Sequence, residues 1–342
     1  MAIGFYLVKG MNNLVLNCDA HDNYDGYSEG DSGNVDGFGG HANKETSTGN
    51  IFRGCRAWNN GDDGFDLINC YASYIIEYCW SFRNGYKPHS IESSGGNGAG
   101  FKSGGYGMGD IKKVPNPIPQ HTVRYCLAYY NRQQGFYSNH HLGGLIFENN
   151  TAYKNPSNYN MLNRKSSNEA VDVPGYGHII KNNLSLSPRN SGGFPQHLIN
   201  VDNTLSEIKN NSFAPNDLNL SESDFESLNE QELMGSRKSD GSLPDIIFLR
   251  LTNHANFRFS GMGCFINEEA VDYSWIQEPA IVLENGVARI VGEDSKSFNK
   301  FYVNGEEVSI ENGIVDLTSM SGELNLKAIS ENGAVTTLII NK

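Results

Sequence analysis

Hydrophobic positions in the first two-thirds of the chain come in short bursts rather than long runs. Ile51-Phe-Arg-Gly-Cys-Arg-Ala-Trp58 and Leu145-Ile-Phe-Glu-Asn149 alternate apolar and polar residues, the period of a strand buried on one face. Asn- and Gly-rich punctuation separates the bursts, and no helix of useful length fits between them. The bursts also repeat. Asn17-Cys18-Asp-Ala-His-Asp-Asn23 is matched by Gly54-Cys55-Arg-Ala-Trp-Asn-Asn60, Tyr78-Cys79-Trp-Ser-Phe-Arg-Asn84 and Tyr125-Cys126-Leu-Ala-Tyr-Tyr-Asn131. Later copies carry Asn in the Cys position, at Asn150, Asn183 and Asn211. Cys55 lies 24 residues before Cys79, and Cys126 lies 24 before Asn150. Phe65, Phe136 and Asn160 follow Cys55, Cys126 and Asn150 by ten. Each unit reads as strand, Asn turn, Gly-Phe and strand. Units of this size, with three short strands each, stack as a right-handed parallel β-helix, an all-β solenoid. The Asn residues are expected to form hydrogen-bonded ladders along its turns. Insertions at 24–34, 86–98 and 104–119 are expected as loops on one face.

The repeat fades after Phe213. Residues 217–233 are acidic, polar and partly helical in pattern, and 240–251 reads as a turn followed by a buried strand. The stack is expected to end there, giving a β-helix domain over 1–250 and a connecting segment over 251–278. From 279 to 342, strands ending in Glu284-Asn-Gly, Val303-Asn-Gly and Glu311-Asn-Gly predict a small antiparallel β-module, resembling the carboxy-terminal β-sandwich modules of secreted bacterial proteins.

Composition narrows the function. The net charge of −13 argues against a nucleic-acid partner. A polyanionic substrate would then need local cations. No run of 18 apolar residues exists to span a membrane. Met1 leads straight into Ala-Ile-Gly-Phe-Tyr-Leu-Val, so a signal sequence and earlier coils are expected upstream. The six Cys include no Cys-x-x-Cys pair, and most share one stacked position, where free, buried thiols are expected.

The densest chemistry is Asn59-Asn-Gly-Asp-Asp-Gly-Phe-Asp66, with Asp62, Asp63 and Asp66 inside five residues. Asp36, in Asn-Val-Asp-Gly-Phe, lies one repeat upstream; Lys102, in Gly-Ala-Gly-Phe-Lys, lies one repeat downstream. Aligning the Gly-Phe pairs at Phe38, Phe65 and Phe101 gathers these five residues into one patch, since neighbouring coils lie about 4.8 Å apart. Carboxylates this close repel unless a cation separates them. Hard oxygen donors in irregular geometry suit calcium. Lys102 beside such a cation would be a base candidate.

These segments resemble polysaccharide lyase family 9, calcium-dependent pectate and rhamnogalacturonan lyases on a right-handed β-helix. The resemblance implies that Asp36, Asp62, Asp63 and Asp66 ligate Ca2+ and that Lys102 is the Brønsted base of β-elimination on a galacturonate-containing pectic polymer. It covers roughly the first 250 residues. A secreted, cell-surface or periplasmic location and a monomeric state are expected with it. By register, Arg83, Lys87, His89, Tyr106, Tyr137, Asn139, His140 and His141 are candidates for sugar contact. His140 and His141 are adjacent and point apart on a strand, which favours hydrogen bonding over metal ligation. Two other readings stay open. One is a glycoside hydrolase of the polygalacturonase type using Asp62 and Asp63 as acid and base, although the expected Ser-His-Gly and Arg-Ile-Lys motifs are missing. The other is a non-catalytic pectin binder using some of its 17 Tyr and 17 Phe as stacking platforms. Between substrates, the reading leans to rhamnogalacturonan over polygalacturonate.

Overall fold

A computed structural model describes residues 3–27, 32–106, 114–189, 196–213, 215, 217–266, 280–291, 298–311, 314–330 and 335–342. Parts of two expected insertions (28–31 and 107–113) and residues 267–278 of the expected connector lie outside the described residues. The chain divides into two compact units, Met1–Asn267 and Glu268–Lys342.

The first unit is a parallel β-helix. Each complete coil contributes one strand to each of three parallel sheets, of seven, seven and six strands. One coil runs through Asn50–Arg53, Arg56–Trp58 and Phe65–Asp66; the next runs through Tyr74–Glu77, Trp80–Phe82 and Phe101–Lys102. The Gly-Phe pairs do stack in register: Phe38 opposite Phe65, Phe65 opposite Phe101, and Phe101 opposite Phe136. Their rings lie inside, 4.8, 4.9 and 5.0 Å apart and nearly parallel. That distance is the strand spacing itself, so a single residue choice per coil yields a continuous aromatic stack.

Cys55, Cys79 and Cys126 fill the second interior column, fully buried, and all six cysteines are free thiols. The residue before the Cys or Asn of each repeat is left-handed, from Asn17 and Gly54 through Tyr78 and Tyr125 to Asn149, Asn182 and Asn210. Gly and Asn accept this conformation readily; at the two Tyr it costs on the order of 1 kcal/mol. Asn side chains form ladders at the turns. One runs from Asn23 through Asn60, Asn84 and Asn131 to Asn155, with Nδ2–Oδ1 distances of 2.7 to 3.1 Å. Another joins Asn150, Asn183 and Asn211.

The last parallel strand is Glu207–Lys209. The chain then crosses the outer face of the third sheet, where Trp58, Trp80, Leu127, Tyr129, Tyr153 and Leu184 would otherwise face water. Phe225, Leu233, Phe248, Leu251, Phe259 and Met262 cover them. The expected strand before Leu251 is not formed. Phe248 and Leu251 make only isolated bridges, to Ser227 and Phe225, because their apolar side chains pack on the aromatic face and Leu249 turns with φ +56°. Residues 217–234 form two short 3-10 turns, Glu222–Asp224 and Glu230–Met234. A single α-helix among the described residues, Asn253–Arg258, follows, capped by Thr252. Asp19 fastens this cover, accepting from Arg56 at 3.0 and 2.7 Å and from Arg237 at 3.1 Å.

The second unit has a three-stranded and a four-stranded antiparallel sheet. Asn285-Gly286 and Asn304-Gly305 turn two of its hairpins, all four residues at positive φ, as a two-residue turn matched to strand twist requires. Phe301, Leu317, Leu326 and Ala328 belong to its own core.

Candidate active site

The site lies on the outer face of the first sheet. Phe65 and Phe101 point inward, so the next residues, Asp66 and Lys102, point outward. The outward row, in register, reads Tyr6, Gly39, Asp66, Lys102, Tyr137, Asn160 and Ile199. Gly39 is the gap in it: a Cβ there would meet Ile3 Cδ1 at 2.9 Å and Tyr6 Cδ2 at 3.1 Å.

The acidic turn precedes Phe65. Gly64 lets it lie flat against the next coil, where a Cβ would strike Ser81 Oγ and come within 2.8 Å of the Gly100 carbonyl. Asp62 and Asp63 then diverge. Asp62 Oδ2 accepts from Asn34 N at 2.6 Å, and Oδ1 from Asn97 N at 2.6 Å and Gly98 N at 3.4 Å. Its carboxylate is thus occupied by main-chain amides from two neighbouring coils. Asp36, Asp63 and Asp66 each have one oxygen tied the same way. Asp36 Oδ1 accepts from Asp63 N at 3.0 Å, Asp63 Oδ1 from Ala99 N at 2.6 Å, and Asp66 Oδ1 from Ile68 N at 2.8 Å. One ligand oxygen from each of these three buried carboxylates lies within 4.8 Å of the others.

Lys102 Nζ lies 3.0 Å from Asp63 Oδ2 and 3.1 Å from Asp66 Oδ2. Lys102 is the only lysine or arginine this trio meets at ion-pair distance among the described residues, and the His41 ring is next, with Nε2 3.9 Å from Asp66 Oδ2. Asp63 Oδ2 is buried and, beyond that ion pair, accepts no hydrogen bond. Burial, followed by the charges of Asp66, Asp63 and Asp62, pushes Asp36 well above the ordinary carboxylate range, with Lys102 opposing. Burial pushes Asp63 up to about 7 against the pull of Lys102, with Asp62 and Asp66 adding to the rise. Burial by itself would lower the Lys102 ammonium, but Asp63, Asp66, Asp36 and Asp62 hold it well above the ordinary lysine value. Carboxylates raised by burial and by one another's charge, as Asp36 and Asp63 are, mark a site short of positive charge. The three acidic residues therefore suit a hard divalent cation.

The other expected contacts separate. Tyr137 stays on the row beside Lys102, and its hydroxyl lies 2.9 Å from His140 Nε2. Asn139 Nδ2 instead donates to Gly104 O at 2.8 Å. Tyr106 is buried, stacks on His141 and donates to Cys70 O. His141 is fully buried, with Nδ1 accepting from Gly105 N and Nε2 facing Pro119 O at 2.9 Å. Arg83 follows the third-sheet strand Trp80–Phe82 and pairs with Glu230 in the cover, 3.3 Å away. Lys87 and His89 are exposed, with Lys87 pairing to Glu92 at 3.1 Å.

Two residues join the site without having been expected. His41 Nδ1 lies 3.2 Å from Tyr6 Oη, and Nε2 is buried without a hydrogen bond. Burial lowers its pKa, Asp66 opposes and Lys102 assists. Its signal was available: His41 follows Phe38 by three, on the same outward parity as Ile68 after Phe65. Asp172 Oδ1 lies 2.6 Å from His140 Nδ1, on a hairpin outside the repeat, so no register pointed to it.

Known proteins share this arrangement of coils. Residues 1–209 match the family model described as Pel9A-like, right handed beta helix region. The chain belongs to the Pel9A-like β-helix family. Residues 202–337 match a second model, rhamnogalacturonan lyase-like, C-terminal. A solved structure named rhamnogalacturonan lyase is similar with a TM-score of 0.72 and 56% identity, over 78% of this chain and 63% of that one. The crystal structure of pectate lyase Pel9A is similar with a TM-score of 0.57 and 34% identity, over 74% of this chain and 55% of that one. Pectate lyase L of Dickeya chrysanthemi is 35% identical over 265 residues, 78% of this chain and 54% of the relative. The chain thus spans between 54% and 63% of the length of these relatives.

Proposed function

We propose that this chain cleaves a galacturonate-containing pectic polymer by β-elimination, with Lys102 as the base and Ca2+ held by Asp36, Asp63 and Asp66. The observation that carries the reading is Lys102 Nζ at 3.0 and 3.1 Å from two members of a buried carboxylate trio. When bound, the cation would supply positive charge for the substrate carboxylate and for the charge that develops on the adjacent carbon. Asp62 shapes the turn through its three amide contacts and, with a lone pair left over, stays a candidate fourth ligand. Lys102 moves the proton. Once the carboxylate charge around it is compensated, burial favours the neutral amine, which can take the proton next to a uronate carboxylate. Loss of the oxygen two carbons from that carboxylate completes the elimination, with no water nucleophile.

The hydrolase reading is not favoured, because both oxygens of Asp62 already accept main-chain amides. Oxygens of the remaining trio lie within 4.8 Å, closer than the roughly 6.5 Å or more that inversion requires between its two carboxyls. Rhamnogalacturonan I is the preferred polymer, supported by 56% identity to a rhamnogalacturonan lyase against 34% to Pel9A. Such a substrate places the enzyme outside the cytoplasm, at the cell surface, in the periplasm or secreted, and it acts as a monomer.

The test is ultraviolet absorbance of unsaturated products from rhamnogalacturonan backbone and from polygalacturonate, each with calcium and with chelator. A calcium-dependent rise, larger on rhamnogalacturonan, is expected. New reducing ends without the absorbance would overturn the lyase reading.

A further inference from the structure

β-Elimination moves two protons, and Lys102 accounts for one. The glycosidic oxygen that departs from the neighbouring carbon also needs a donor, close to the base because the two reacting carbons are bonded. The next rung of the outward row carries one. Tyr137 pairs with Lys102 across adjacent strands, about 4.8 Å away along the stack.

Its hydroxyl is held from behind. Tyr137 Oη lies 2.9 Å from His140 Nε2, and His140 Nδ1 lies 2.6 Å from Asp172 Oδ1. The two rings meet edge to face at 5.9 Å and 74°. The backbone is bent to achieve this. Asn139 and His140 are consecutive non-Gly residues at φ +54° and +57°, a conformation that costs on the order of 1 kcal/mol or more at each and persists where the surroundings enforce it. Asn139 Nδ2 bonded to Gly104 O and His140 N bonded to Leu162 O enforce it here. Asp172 is brought by the strand Glu169–Val173, which pairs antiparallel with Asn163–Ser166 and belongs to none of the three stacked sheets. This hairpin therefore places a side chain against His140 without lengthening the helix. Burial, then Asp172, raises the Tyr137 hydroxyl to about 12, with Lys102 opposing, so it carries its proton at neutral pH.

We propose that Tyr137 is the proton donor to the departing glycosidic oxygen, and that His140 and Asp172 are positioning residues that aim its hydroxyl. The proposal rests on the lyase reading. Lys102 Nζ takes the proton next to the uronate carboxylate, and that C–H pair becomes the new carbon–carbon double bond. The bond from the neighbouring carbon to the glycosidic oxygen breaks, its pair goes to the oxygen, and the oxygen takes the Tyr137 hydroxyl proton. His140, its Nδ1 facing Asp172 Oδ1 at 2.6 Å, holds Tyr137 Oη at Nε2, and the hydroxyl turns its hydrogen from Nε2 to the glycosidic oxygen as that bond breaks. Water reprotonates the phenolate and takes the proton from Lys102, so no proton is consumed overall.

The test compares Tyr137→Phe and His140→Gln with the unaltered full chain on two substrates, in calcium. One is the polymer that the chain cleaves. The other is a galacturonide carrying nitrophenoxide as the leaving group, which departs without a proton donor. On polymer, Tyr137→Phe is expected to lower kcat about 100-fold with KM nearly unchanged, and His140→Gln to lower it less. On the nitrophenoxide substrate both variants should recover to within a few-fold of the unaltered chain. A donor role fails if Tyr137→Phe keeps full polymer activity, or if its loss is equal on both substrates. Should Tyr137→Phe unfold, the same ratio between substrates in His140→Gln decides. Absence of unsaturated product from the unaltered chain on either polymer would instead overturn the lyase reading, and this proposal with it.

Discussion

The two faces of the first sheet follow opposite rules. Inside, every coil from Phe38 to Phe136 repeats one residue, and Tyr159 continues the stack at 4.9 Å. Outside, one step along the same strands, no two neighbours agree: Gly39, Asp66, Lys102, Tyr137 and Asn160. Repetition keeps the interior packed at the strand spacing and satisfies each coil with the next. The outer row breaks the repeat, and there a lysine is buried against carboxylates and the backbone turns left-handed at two consecutive non-Gly residues nearby. In this molecule stability is carried by what repeats and chemistry by what does not.

The sharpest way to break that comparison is to cut the interior stack. Phe101 is fully buried between Phe65 and Phe136, at 4.9 and 5.0 Å. Phe101→Ala is expected to cost about 3–5 kcal/mol of stability, read as a lowered denaturation midpoint. Cutting an Asn ladder should cost less. Asn84 bonds to Asn60 on one side and Asn131 on the other, and its Nδ2 also reaches Ala57 O. Asn84→Ala leaves these buried groups unpaired, for about 1–3 kcal/mol. Variants that unfold at lower denaturant yet keep normal turnover per folded molecule would support the division; a loss of turnover in the folded state would count against it.

The smallest effect concerns the cover over the third sheet. Asp19 is partly desolvated, which would raise its pKa, but Arg56 and Arg237 together hold it below the ordinary range. A depressed carboxylate contributes stability above its unfolded value and loses it as pH falls through the folded one. Asp19→Asn should therefore lower the melting temperature slightly at neutral pH, and the difference from the unaltered chain should shrink below about pH 4. A difference that persisted unchanged into acid would remove the ion pair as the fastening.

Much of this was legible in the chain because repetition is a one-dimensional signal. The spacing of Cys55, Cys79 and Cys126 and the Gly-Phe pairs gave the coil length, and the coil length put Asp66 beside Lys102. Periodicity does not say which way a turn aims its side chains. Asp62 and Asp63 are adjacent in the same motif, yet three amides capture the first while the second faces Lys102. Register along one face misplaced Arg83, which follows a strand of a different sheet and pairs with Glu230, a residue far along the chain. The segment before Leu251 has the composition of a strand, but the aromatic face it covers takes its side chains without needing a ladder. Asp172 was illegible for the reason that makes it informative, since its hairpin lies outside the repeat.

Phe101 and Lys102 are consecutive residues of one two-residue strand, one pointing into each regime. The most direct measurement is therefore the rate of unsaturated product formation by Lys102→Ala, in saturating calcium, on the polymer that the unaltered chain cleaves. The account predicts a loss of at least about 1,000-fold, with cooperative unfolding and calcium binding retained. Full activity in this variant would contradict it.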